Sequence, residues 1–467
     1  MTTKFKLTTN YQKLLADTLT PVSLFLKIRD EFQNPILLES SDYHGHENSF
    51  SFICFEPIAQ FIVENQSITI HTPDGNIEKK QSTTIIKELD LFAKSFETDT
   101  LPFHFPTNGL FGYSTFDSVQ YFEDIKIQTF ADDERKIPDM WYSVYRFVIA
   151  INHFKNELYI FEHLFGEDTP SKLKEVITLI TRHAIPAYSF LMTGEENSNL
   201  KNEDFLALVD KGIHHCKRGD VFQIVFSRQF SQGFKGDELN VYRALRSINP
   251  SPYLFYFDYG SFKIFGSSPE AQLVIKKNKA EIHPIAGTFR RTGNDEEDAN
   301  LAKKLFADEK ESAEHVMLVD LARNDLSRNG HHVKVETFKE IQYYSHLIHL
   351  VSKVTAEILP DTTNLQLFGD TFPAGTLSGS PKYKALSLIN EYENQNRGFY
   401  GGALGWLSFE GEINHAIMIR SFLSKNNRLF YQAGAGIVSK SIPQNELEEV
   451  NHKLKALRKA LEEAENI

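Results

Sequence analysis

Short apolar runs separated by turn-forming residues recur along this chain of 467 residues, and they restrict its fold more than any other feature. The runs Trp141–Phe154 and Glu157–Phe161 are joined by Lys155-Asn156, which predicts a β-hairpin. Helical patterns alternate with further strand-like runs at Val221–Phe226, Leu254–Asp258, Val333–Glu336, Gly401–Phe409, Ala416–Leu423 and Leu429–Ala433. Many of these runs are candidates for antiparallel hairpins, so the pattern favours an α+β fold over a doubly wound parallel sheet.

A stretch poor in apolar residues divides the chain. Thr193–Asp204 is dense in Gly, Asn, Ser, Glu and Lys, which is typical of a linker. We therefore predict an N-terminal region over residues 1–192, a linker over 193–203 and a C-terminal region over 204–467.

The charge balance and the cysteine count restrict partners and compartment. The 50 Lys and Arg residues against 62 Asp and Glu residues give a net charge of −12, which argues against a nucleic-acid partner. An anionic substrate would then need a metal or a local cationic pocket. Two cysteines cannot form a disulfide framework, and no apolar run approaches the ~20 residues of a membrane span. We expect a cytoplasmic protein with no membrane partner.

Two pairs of glutamates have a spacing that suits a metal. Glu311 and Glu314 lie three apart in a helical pattern, and Glu446 and Glu449 repeat that spacing near the C-terminus. Residues three apart share one helical face, so four carboxylates from two helices would make an oxygen-rich site for Mg²⁺. Lys453 lies on the face of Glu449 and is available to an anion bound by that metal. Solvated surface charge is the alternative for either pair.

Two polar residues interrupt apolar runs in the C-terminal region. Arg420 follows the apolar stretch Ala416–Ile419, and a buried charge is costly unless it is paired. A guanidinium matches a carboxylate, so Arg420 indicates either an anionic ligand or a structural ion pair. His349 lies in a similar run, where a satisfied core histidine is the alternative to a site residue.

Four longer segments resemble, in their order, the motifs of the chorismate-utilising enzymes. They are Pro-Ile-Ala-Gly-Thr (284–288), Ala-Glu-His-Val-Met-Leu-Val-Asp-Leu-Ala-Arg-Asn-Asp-Leu (313–326), Phe-Pro-Ala-Gly-Thr-Leu-Ser-Gly-Ser-Pro-Lys (372–382) and Gln-Ala-Gly-Ala-Gly-Ile-Val (432–438). Within this family the pattern is most similar to anthranilate synthase component I. The resemblance implies antiparallel sheets in two layers with surrounding helices, and an active site in a cleft of the C-terminal region.

The resemblance also implies a reaction. Ammonia adds to the ring of chorismate as the 4-hydroxyl leaves, and elimination of pyruvate then gives anthranilate, the first step of tryptophan biosynthesis. The family pattern assigns the general acid to Glu270, and places His349 where it positions the ring or assists proton transfer. It assigns Mg²⁺ to Glu314 and Glu449, with Glu311 and Glu446 beside them. The residues that it implies for substrate binding are Gly287, Thr288, Tyr400, Arg420, Gly434, Ala435, Gly436 and Lys453, and it makes Thr288 and Gln223 catalytic as well.

Two positions separate the branches of the family. Relatives that add water carry a lysine base at the position of Gln223, whereas ammonia needs no such base. Aminodeoxychorismate synthase of the folate pathway commonly carries a lysine at the position of Ala286, where it bonds covalently to the ring. Together, Gln223 and Ala286 favour direct amination and anthranilate. Aminodeoxychorismate synthase is the nearest alternative, and a non-catalytic amino-acid-binding regulatory subunit is an alternative from another class. Asn414-His415 departs from the usual Asp-Thr, which removes a negative charge that we expect near the site.

The resemblance implies a protein partner and an inhibitor. The chain shows no glycine-flanked nucleophilic cysteine, so ammonia would come from a separate glutamine amidotransferase subunit, anthranilate synthase component II. Glu39 and Ser40, with Pro252, Tyr253 and Leu254, match the family's pocket for tryptophan as inhibitor. A strand end packed against a proline-rich turn is the structural alternative.

Overall fold

A computed structural model describes residues 4–40, 49–130, 133–182, 184–343 and 347–467. The elements of the N-terminal region are β1 (Phe5–Leu15), α1 (Pro21–Ile28), β2 (Ile36–Glu39), β3 (Phe50–Glu64), β4 (Ser67–His71), β5 (Ile77–Gln81), α2 (Ile85–Lys94), β6 (Phe96–Thr98), β7 (Leu110–Ser114), a 3₁₀ helix (Phe116–Tyr121), β8 (Met140–Asn152), β9 (Glu157–Phe165), α3 (Leu173–Ile180) and β10 (Phe190–Ser198).

The C-terminal region continues the alternation of strands and helices. Its elements are α4 (Asn202–Arg218), β11 (Gln223–Gly236), α5 (Leu239–Ile248), β12 (Tyr253–Asp258), β13 (Phe262–Ser268), β14 (Ala271–Lys276), β15 (Lys279–Ile282), β16 (Ile285–Arg290), α6 (Asp295–Ala307), α7 (Glu309–Ser327), β17 (Gly330–Tyr343), β18 (Leu347–Ile358), α8 (Asn364–Thr371), α9 (Gly375–Ser378), β19 (Gly379–Ser380), α10 (Lys382–Tyr392), β20 (Ala403–Leu407), β21 (Ile413–Ile417), β22 (Ser421–Lys425), β23 (Arg428–Ile437) and α11 (Pro443–Ala464).

The strands form two sheets that share the long antiparallel pair β3 and β8. One sheet runs β6-β1-β9-β8-β3-β2-β12-β13-β22-β23-β11-β10. The other runs β5-β4-β3-β8-β7-β20-β21-β14-β15-β18, and β16 and β17 also pair with β18. The β3 strand changes register between Pro57 and Ala59, and such a bulge lets one strand serve two sheets. Apart from β1 and β6, these neighbours are antiparallel, which confirms the predicted α+β class.

The three largest apolar clusters among the described residues hold the layers together. Side chains of both sheets meet in a core that includes Phe52, Phe111 and Phe255. A second core packs the first sheet against α1, α4, α5 and α11, and a third packs the second sheet against α2, α7 and α8. The result is two sheets face to face with helices on their outer sides. In the described ranges, no helix combines the length and apolar character needed to cross a membrane.

The segment predicted as a linker is structured. Residues 193–198 belong to β10, which pairs with β11, and α4 begins at Asn202. The prediction of a linker over 193–203 was therefore wrong at the level of local structure. The two sheets also cross this boundary, because β2 pairs with β12 and β7 with β20. The division into two regions stays a prediction.

Candidate active site

Glu270 lies between β13 and β14, and its backbone carbonyl accepts a hydrogen bond from the Ile417 amide at 3.0 Å. Its side chain is buried, and the Thr376 hydroxyl lies 3.1 and 3.2 Å from the two carboxyl oxygens. Burial raises the pKa of Glu270 to about 8, while the Thr376 hydrogen bond and the charge of Lys453 oppose this. Glu270 therefore holds a proton at neutral pH, as a general acid must.

Arg420 places a partly buried guanidinium near Tyr400 and Glu449. The Arg420 carbonyl accepts a hydrogen bond from the Ser267 amide at 3.1 Å, which ties it to the segment that leads to Glu270. One guanidinium nitrogen donates to the Lys453 carbonyl. Burial lowers the pKa of Arg420, and Tyr400 and Glu449 oppose this. In the part of the chain that the structure describes, no carboxylate forms an ion pair with Arg420.

The backbone at Arg420 has a left-handed conformation, with φ of 51°. This is an uncommon conformation for a residue other than glycine, and such strain clusters at functional sites. The Tyr400 ring is buried beside this arginine. Burial raises the pKa of Tyr400 to about 12, and the nearby Arg397 and Arg420 oppose the shift, so the phenol is neutral and can donate a hydrogen bond.

Gly287 lies between His349 and the first turn of α7. Its φ is 74°, and a Cβ atom there would come within 2.7 Å of Leu305 and 3.2 Å of a Glu311 carboxyl oxygen. Glycine thus keeps the backbone close to Glu311. The Gly287 carbonyl lies 3.4 Å from His349 Nδ1, and because a carbonyl only accepts, the proton of a neutral ring sits on Nδ1.

Burial lowers the pKa of His349 to about 4, so the ring is neutral at physiological pH. Nε2 is then the acceptor nitrogen of this ring. Thr288 is the register partner of His349 between β16 and β18, but its side chain, like that of Ala286, lies outside the described part of the structure.

The glutamates of α7 and α11 approach the same end of β23. Gln223 Nε2 donates to Glu314 Oε1 at 3.2 Å, and a Cβ atom on Gly436 would lie 2.5 Å from that same nitrogen. From α11, Lys453 Nζ contacts Glu449 Oε1 at 2.6 Å and donates to the Gly434 carbonyl at 2.8 Å. Two helices that are distant in sequence therefore direct carboxylates toward Gly434 and Gly436.

The donor set fits Mg²⁺, which prefers carboxylate oxygens. Glu311 lies against Gly287, and Glu446 is buried one turn before Glu449. No three of these four described glutamates have oxygens within 4.8 Å of one another. Gln223 contacts Glu314 and Lys453 contacts Glu449, so two of the four carboxylates already have partners. The described group that does meet this spacing is His331, His332 and Glu357, at the other end of the β17–β18 hairpin.

The structure brings most of the predicted site residues together. These are Gln223, Glu270, Gly287, Glu311, Glu314, His349, Tyr400, Arg420, Gly434, Gly436, Glu446, Glu449 and Lys453. Ala435 points into the core behind β23, so only its backbone can contribute. Sequence reasoning missed Thr376, although this residue lies in the quoted motif 372–382.

A separate cavity of about 960 Å³ contains the residues predicted for tryptophan binding. Its wall includes Glu39, Ser40, Pro252, Tyr253 and Leu254, together with strands of both sheets. The Glu39 carboxylate accepts hydrogen bonds from the Tyr242 hydroxyl at 2.6 Å and from Arg246 at 3.0 and 3.1 Å. The cavity therefore opens beside the Glu39 carboxylate, which already forms an ion pair with Arg246.

Asn414 and His415, where the family usually has Asp-Thr, are neighbours in β21 and face opposite sides of the sheet. Asn414 lines the cavity wall, and its buried Oδ1 has no hydrogen-bond partner among the described residues. His415 points to the opposite face of β21, between the rings of Tyr142 and Phe368, where burial lowers its pKa to about 3. Asn414, which replaces the usual aspartate, therefore faces the cavity, and the expected effect of this pair on the chorismate site stays a prediction.

Comparison with known proteins places this site in a family. The model of the chorismate binding enzyme family matches residues 34–459. Anthranilate synthase component 1 of Aquifex aeolicus is 36% identical, covering 97% of this chain and 94% of the relative. That of Lactococcus lactis is 33% identical, covering 96% and 98%. The crystal structure of anthranilate synthase component I from Streptococcus pneumoniae superposes with a TM-score of 0.76 at 29% identity, covering 96% of this chain and all of that chain.

A more distant structure shares the fold. The menaquinone-specific isochorismate synthase of Escherichia coli superposes with a TM-score of 0.74 at 17% identity, covering 98% of this chain and 95% of that chain. Together with the geometry above, these matches confirm the predicted resemblance: the chain belongs to the family of chorismate binding enzymes.

Proposed function

We propose that this chain is the synthase subunit of an anthranilate synthase. It would aminate chorismate with ammonia from a partner amidotransferase and then eliminate pyruvate, as the first step of tryptophan biosynthesis in the cytoplasm. The observation that carries the proposal is Glu270, a buried carboxyl group whose pKa of about 8 leaves it protonated at neutral pH. Relatives named anthranilate synthase component 1, which are similar to nearly the whole of this chain, support the proposal.

Glu270 supplies the proton that the reaction requires. The ring hydroxyl of chorismate is a poor leaving group, and it departs as water once it has received a proton. A solvent-exposed glutamate would have lost its proton at neutral pH, whereas burial keeps the proton on Glu270. The Thr376 hydroxyl fixes the carboxyl group in one orientation.

Arg420 and Tyr400 would bind the carboxylate of the enolpyruvyl side chain. The partly buried guanidinium lacks a carboxylate ion-pair partner among the described residues, and the tyrosine hydroxyl beside it is neutral. A bidentate carboxylate would satisfy the guanidinium, and the phenol would add a third hydrogen bond. Nε2 of His349 and the backbone at Gly287 and Gly434 would position the ring and its remaining oxygens.

Glu314 and Glu449, with Glu311 and Glu446 beside them, would hold Mg²⁺. When bound, this ion would neutralise the ring carboxylate of chorismate and accept the charge that develops there. Lys453, at 2.6 Å from Glu449, would add a positive charge next to that carboxylate.

Gln223 supports ammonia, and not water, as the nucleophile. Its amide nitrogen donates to Glu314, and an amide cannot take a proton from water as a lysine base does. Ammonia is nucleophilic without such a base. Alanine at position 286 likewise cannot form the covalent bond to the ring that a lysine would form in aminodeoxychorismate synthase.

The two thiols support a separate source of ammonia. Burial raises the pKa of Cys54 well above its ordinary value, and it raises that of Cys216 to about 11. A nucleophilic cysteine must reach the thiolate form near neutral pH, which these environments oppose. Glutamine hydrolysis is therefore assigned to a partner subunit.

The proposal predicts one product from three small reagents. The purified chain, given chorismate, ammonium and Mg²⁺, is expected to release pyruvate and a strongly fluorescent product that co-elutes with anthranilate. Fluorescence and chromatography of the reaction mixture measure this. Aminodeoxychorismate or isochorismate as the accumulating product would refute the proposal.

Removal of Mg²⁺ and replacement of ammonium by glutamine provide the two controls. Chelation of Mg²⁺ with EDTA is expected to stop the reaction, and an excess of Mg²⁺ is expected to restore it. Full activity in EDTA would show that the reaction does not require the metal. Glutamine in place of ammonium is expected to give no product unless the amidotransferase is added. Glutamine-dependent synthesis by the single chain would contradict the assigned partner.

We further propose that the cavity described above binds tryptophan as a feedback inhibitor. A volume of about 960 Å³ accommodates an amino acid, and the aromatic wall includes Phe50, Tyr253 and Trp406. The unpartnered Asn414 Oδ1 is an acceptor that suits the ammonium group of the ligand.

Ser40→Phe is expected to raise the tryptophan concentration needed for half-inhibition by at least about tenfold, because a phenyl ring would occupy the cavity and each 1.4 kcal/mol of lost binding is tenfold. Uninhibited turnover should stay close to that of the parent chain, since Ser40 lies outside the chorismate site. Inhibition curves of both proteins measure the effect. Equal inhibition of parent and variant would show that tryptophan does not bind here.

A further inference from the structure

One ion pair lies completely inside the C-terminal region, directly behind the site. Arg397 is 2% exposed, and its Nε and Nη2 atoms donate to the two oxygens of Glu393 at 2.9 and 2.7 Å. Stability of the core does not by itself explain this pair, because hydrophobic residues of similar volume often stabilise a core as well as a buried ion pair does. The hydrogen bonds that Arg397 and Glu393 make to other segments indicate a second role for the pair.

Those hydrogen bonds join segments that are distant in sequence. Arg397 Nη1 donates to the Leu377 carbonyl at 2.5 Å, and Nη2 donates to the Val225 carbonyl at 2.7 Å. Glu393 accepts from the backbone amide of Ser227 at 2.9 Å and from its hydroxyl at 2.7 Å. The pair thus fastens β11 and α9 to the turn that follows α10.

Each fastened segment carries a residue of the proposed site. Leu377 follows Thr376, whose hydroxyl contacts the carboxyl group of Glu270. Val225 lies two residues after Gln223, which donates to Glu314. On the third side, the Arg397 guanidinium lies 6.0 Å from the centre of the Tyr400 ring.

We propose that Arg397 and Glu393 are positioning residues for the chorismate reaction: their ion pair holds Thr376, Gln223 and Tyr400 in one arrangement around the substrate. Neither residue touches the substrate. The inference rests on the proposed function, since it assigns a role in that same site.

The role requires the planar fork of arginine. A lysine at position 397 would keep the charge and the ion pair with Glu393, but a single ammonium cannot follow the directions of both the Leu377 and Val225 carbonyls. The α9 segment would then loosen, and water would reach Glu270. Because burial is the largest cause of the raised pKa of Glu270, hydration would lower that pKa.

The test compares Arg397→Lys with the wild-type chain in the assay with chorismate, ammonium and Mg²⁺. The kcat of the variant is expected to fall by about 10²-fold, which is typical of an ångström-scale misplacement of catalytic groups. The alkaline limb of its kcat/KM profile is expected to move below that of the wild type, which lies near pH 8. A folded variant with an unchanged pH profile and kcat would overturn the proposal.

Arg146→Lys provides the matched control. Arg146 is also buried, donates to Glu162 at 2.8 Å and to the Pro170 carbonyl at 2.6 Å, and lies in the N-terminal region away from the site. This variant is expected to lose stability without moving the alkaline limb. An equal movement of the limb in both variants would overturn the positioning role, because loss of stability alone would then explain it.

A second variant covers the case in which Arg397→Lys does not fold, as judged by circular dichroism. Glu393→Gln keeps the shape of the side chain but removes the charge that holds the Arg397 guanidinium, so the contacts of Arg397 with the Leu377 and Val225 carbonyls should weaken. The limb is expected to shift in the same direction as in Arg397→Lys, but by less. An unshifted limb in folded Glu393→Gln would overturn the proposal. A wild-type chain that makes no anthranilate would instead refute the proposed function itself.

Discussion

Glu270→Gln is expected to lower kcat for anthranilate formation by about 10²–10⁴-fold, the usual contribution of a positioned general acid. Glutamine has nearly the same shape and can still accept a hydrogen bond from Thr376, but its amide cannot protonate the leaving hydroxyl. The KM for chorismate should change little, because Arg420, Tyr400 and the glutamates are untouched. Steady-state kinetics with ammonium as the nitrogen donor measures both constants.

The wild-type chain should show the titration of the same group. Glu270 holds its proton below its pKa of about 8 and loses it above, so kcat/KM is expected to fall as the pH rises through about 8. The residual activity of Glu270→Gln should lack this limb. A variant with undiminished turnover would show that Glu270 is not the general acid. It would then favour the alternative of a non-catalytic amino-acid-binding regulatory subunit.

The substitution should also stabilise the folded chain at alkaline pH. The folded state retains the proton of Glu270 up to about pH 8, whereas the unfolded chain releases it near the ordinary value of 4.5, so the wild type loses stability as the pH rises between these values. Glutamine carries no such titration. Denaturant unfolding at pH 5 and pH 8.5 should therefore show an advantage of Glu270→Gln that is larger at the higher pH.

Asp139→Asn is the control for this behaviour. Burial raises the pKa of Asp139 as well, but this residue accepts hydrogen bonds from Tyr121 and the Asn65 amide in the N-terminal region. Its substitution should leave kcat and the pH profile of activity unchanged. A loss of turnover comparable to that of Glu270→Gln would mean that any buried acid in this chain affects activity through the fold.

The parts of the fold that depend on residues close together in the sequence could be predicted from it. Glutamates three apart share a helical face wherever a helix forms, so the pairs on α7 and α11 were identified correctly as helical. The hairpin of β8 and β9 was marked by its turn. The pairing of β2 with β12 was not predictable in the same way, because no local pattern specifies a partner more than two hundred residues away.

The linker shows how a local pattern can mislead. β10 is mostly exposed and pairs only with β11 among the described strands, and its part over residues 193–198 is polar on both faces. Polar side chains are a common protection for an edge strand, yet they give the same composition as a linker. Hydrogen bonding of the backbone decides between the two, and composition does not report it.

The sequence marked site residues by their spacing, by charge within an apolar run or by a family motif, but it did not mark residues that act through distant contacts. Thr376 and Arg397 were missed because their roles are contacts with residues far away in the sequence: Thr376 meets Glu270 across 106 positions, and Arg397 meets Val225 across 172. Neither residue type is unusual in its local context. Their function becomes visible only when distances are known.

Arg420→Met is expected to produce the second large effect, on binding instead of on proton transfer. Removal of one partner from a buried charge pair costs about 2–5 kcal/mol, so the apparent affinity for chorismate should fall between about 30-fold and about 5000-fold. Methionine occupies a similar length without charge. Steady-state KM and direct binding of chorismate to the Glu270→Gln background, which turns over slowly, both measure this loss.

Arg420→Lys separates charge from geometry. The lysine keeps a positive charge near the substrate carboxylate but cannot make two parallel hydrogen bonds, so its affinity should lie between those of the wild type and Arg420→Met. All three side chains must adopt the same left-handed backbone at position 420, so backbone strain does not differ among them.

The stability of the unliganded chain provides the decisive contrast. The guanidinium is partly buried without a carboxylate ion-pair partner among the described residues, and desolvation lowers its pKa, so its charge is unfavourable until an anion binds. Arg420→Met should therefore be at least as stable as the wild type without ligand, although it binds chorismate weakly. A variant that unfolds more readily and keeps its affinity would identify Arg420 as part of a structural ion pair and not as the carboxylate site.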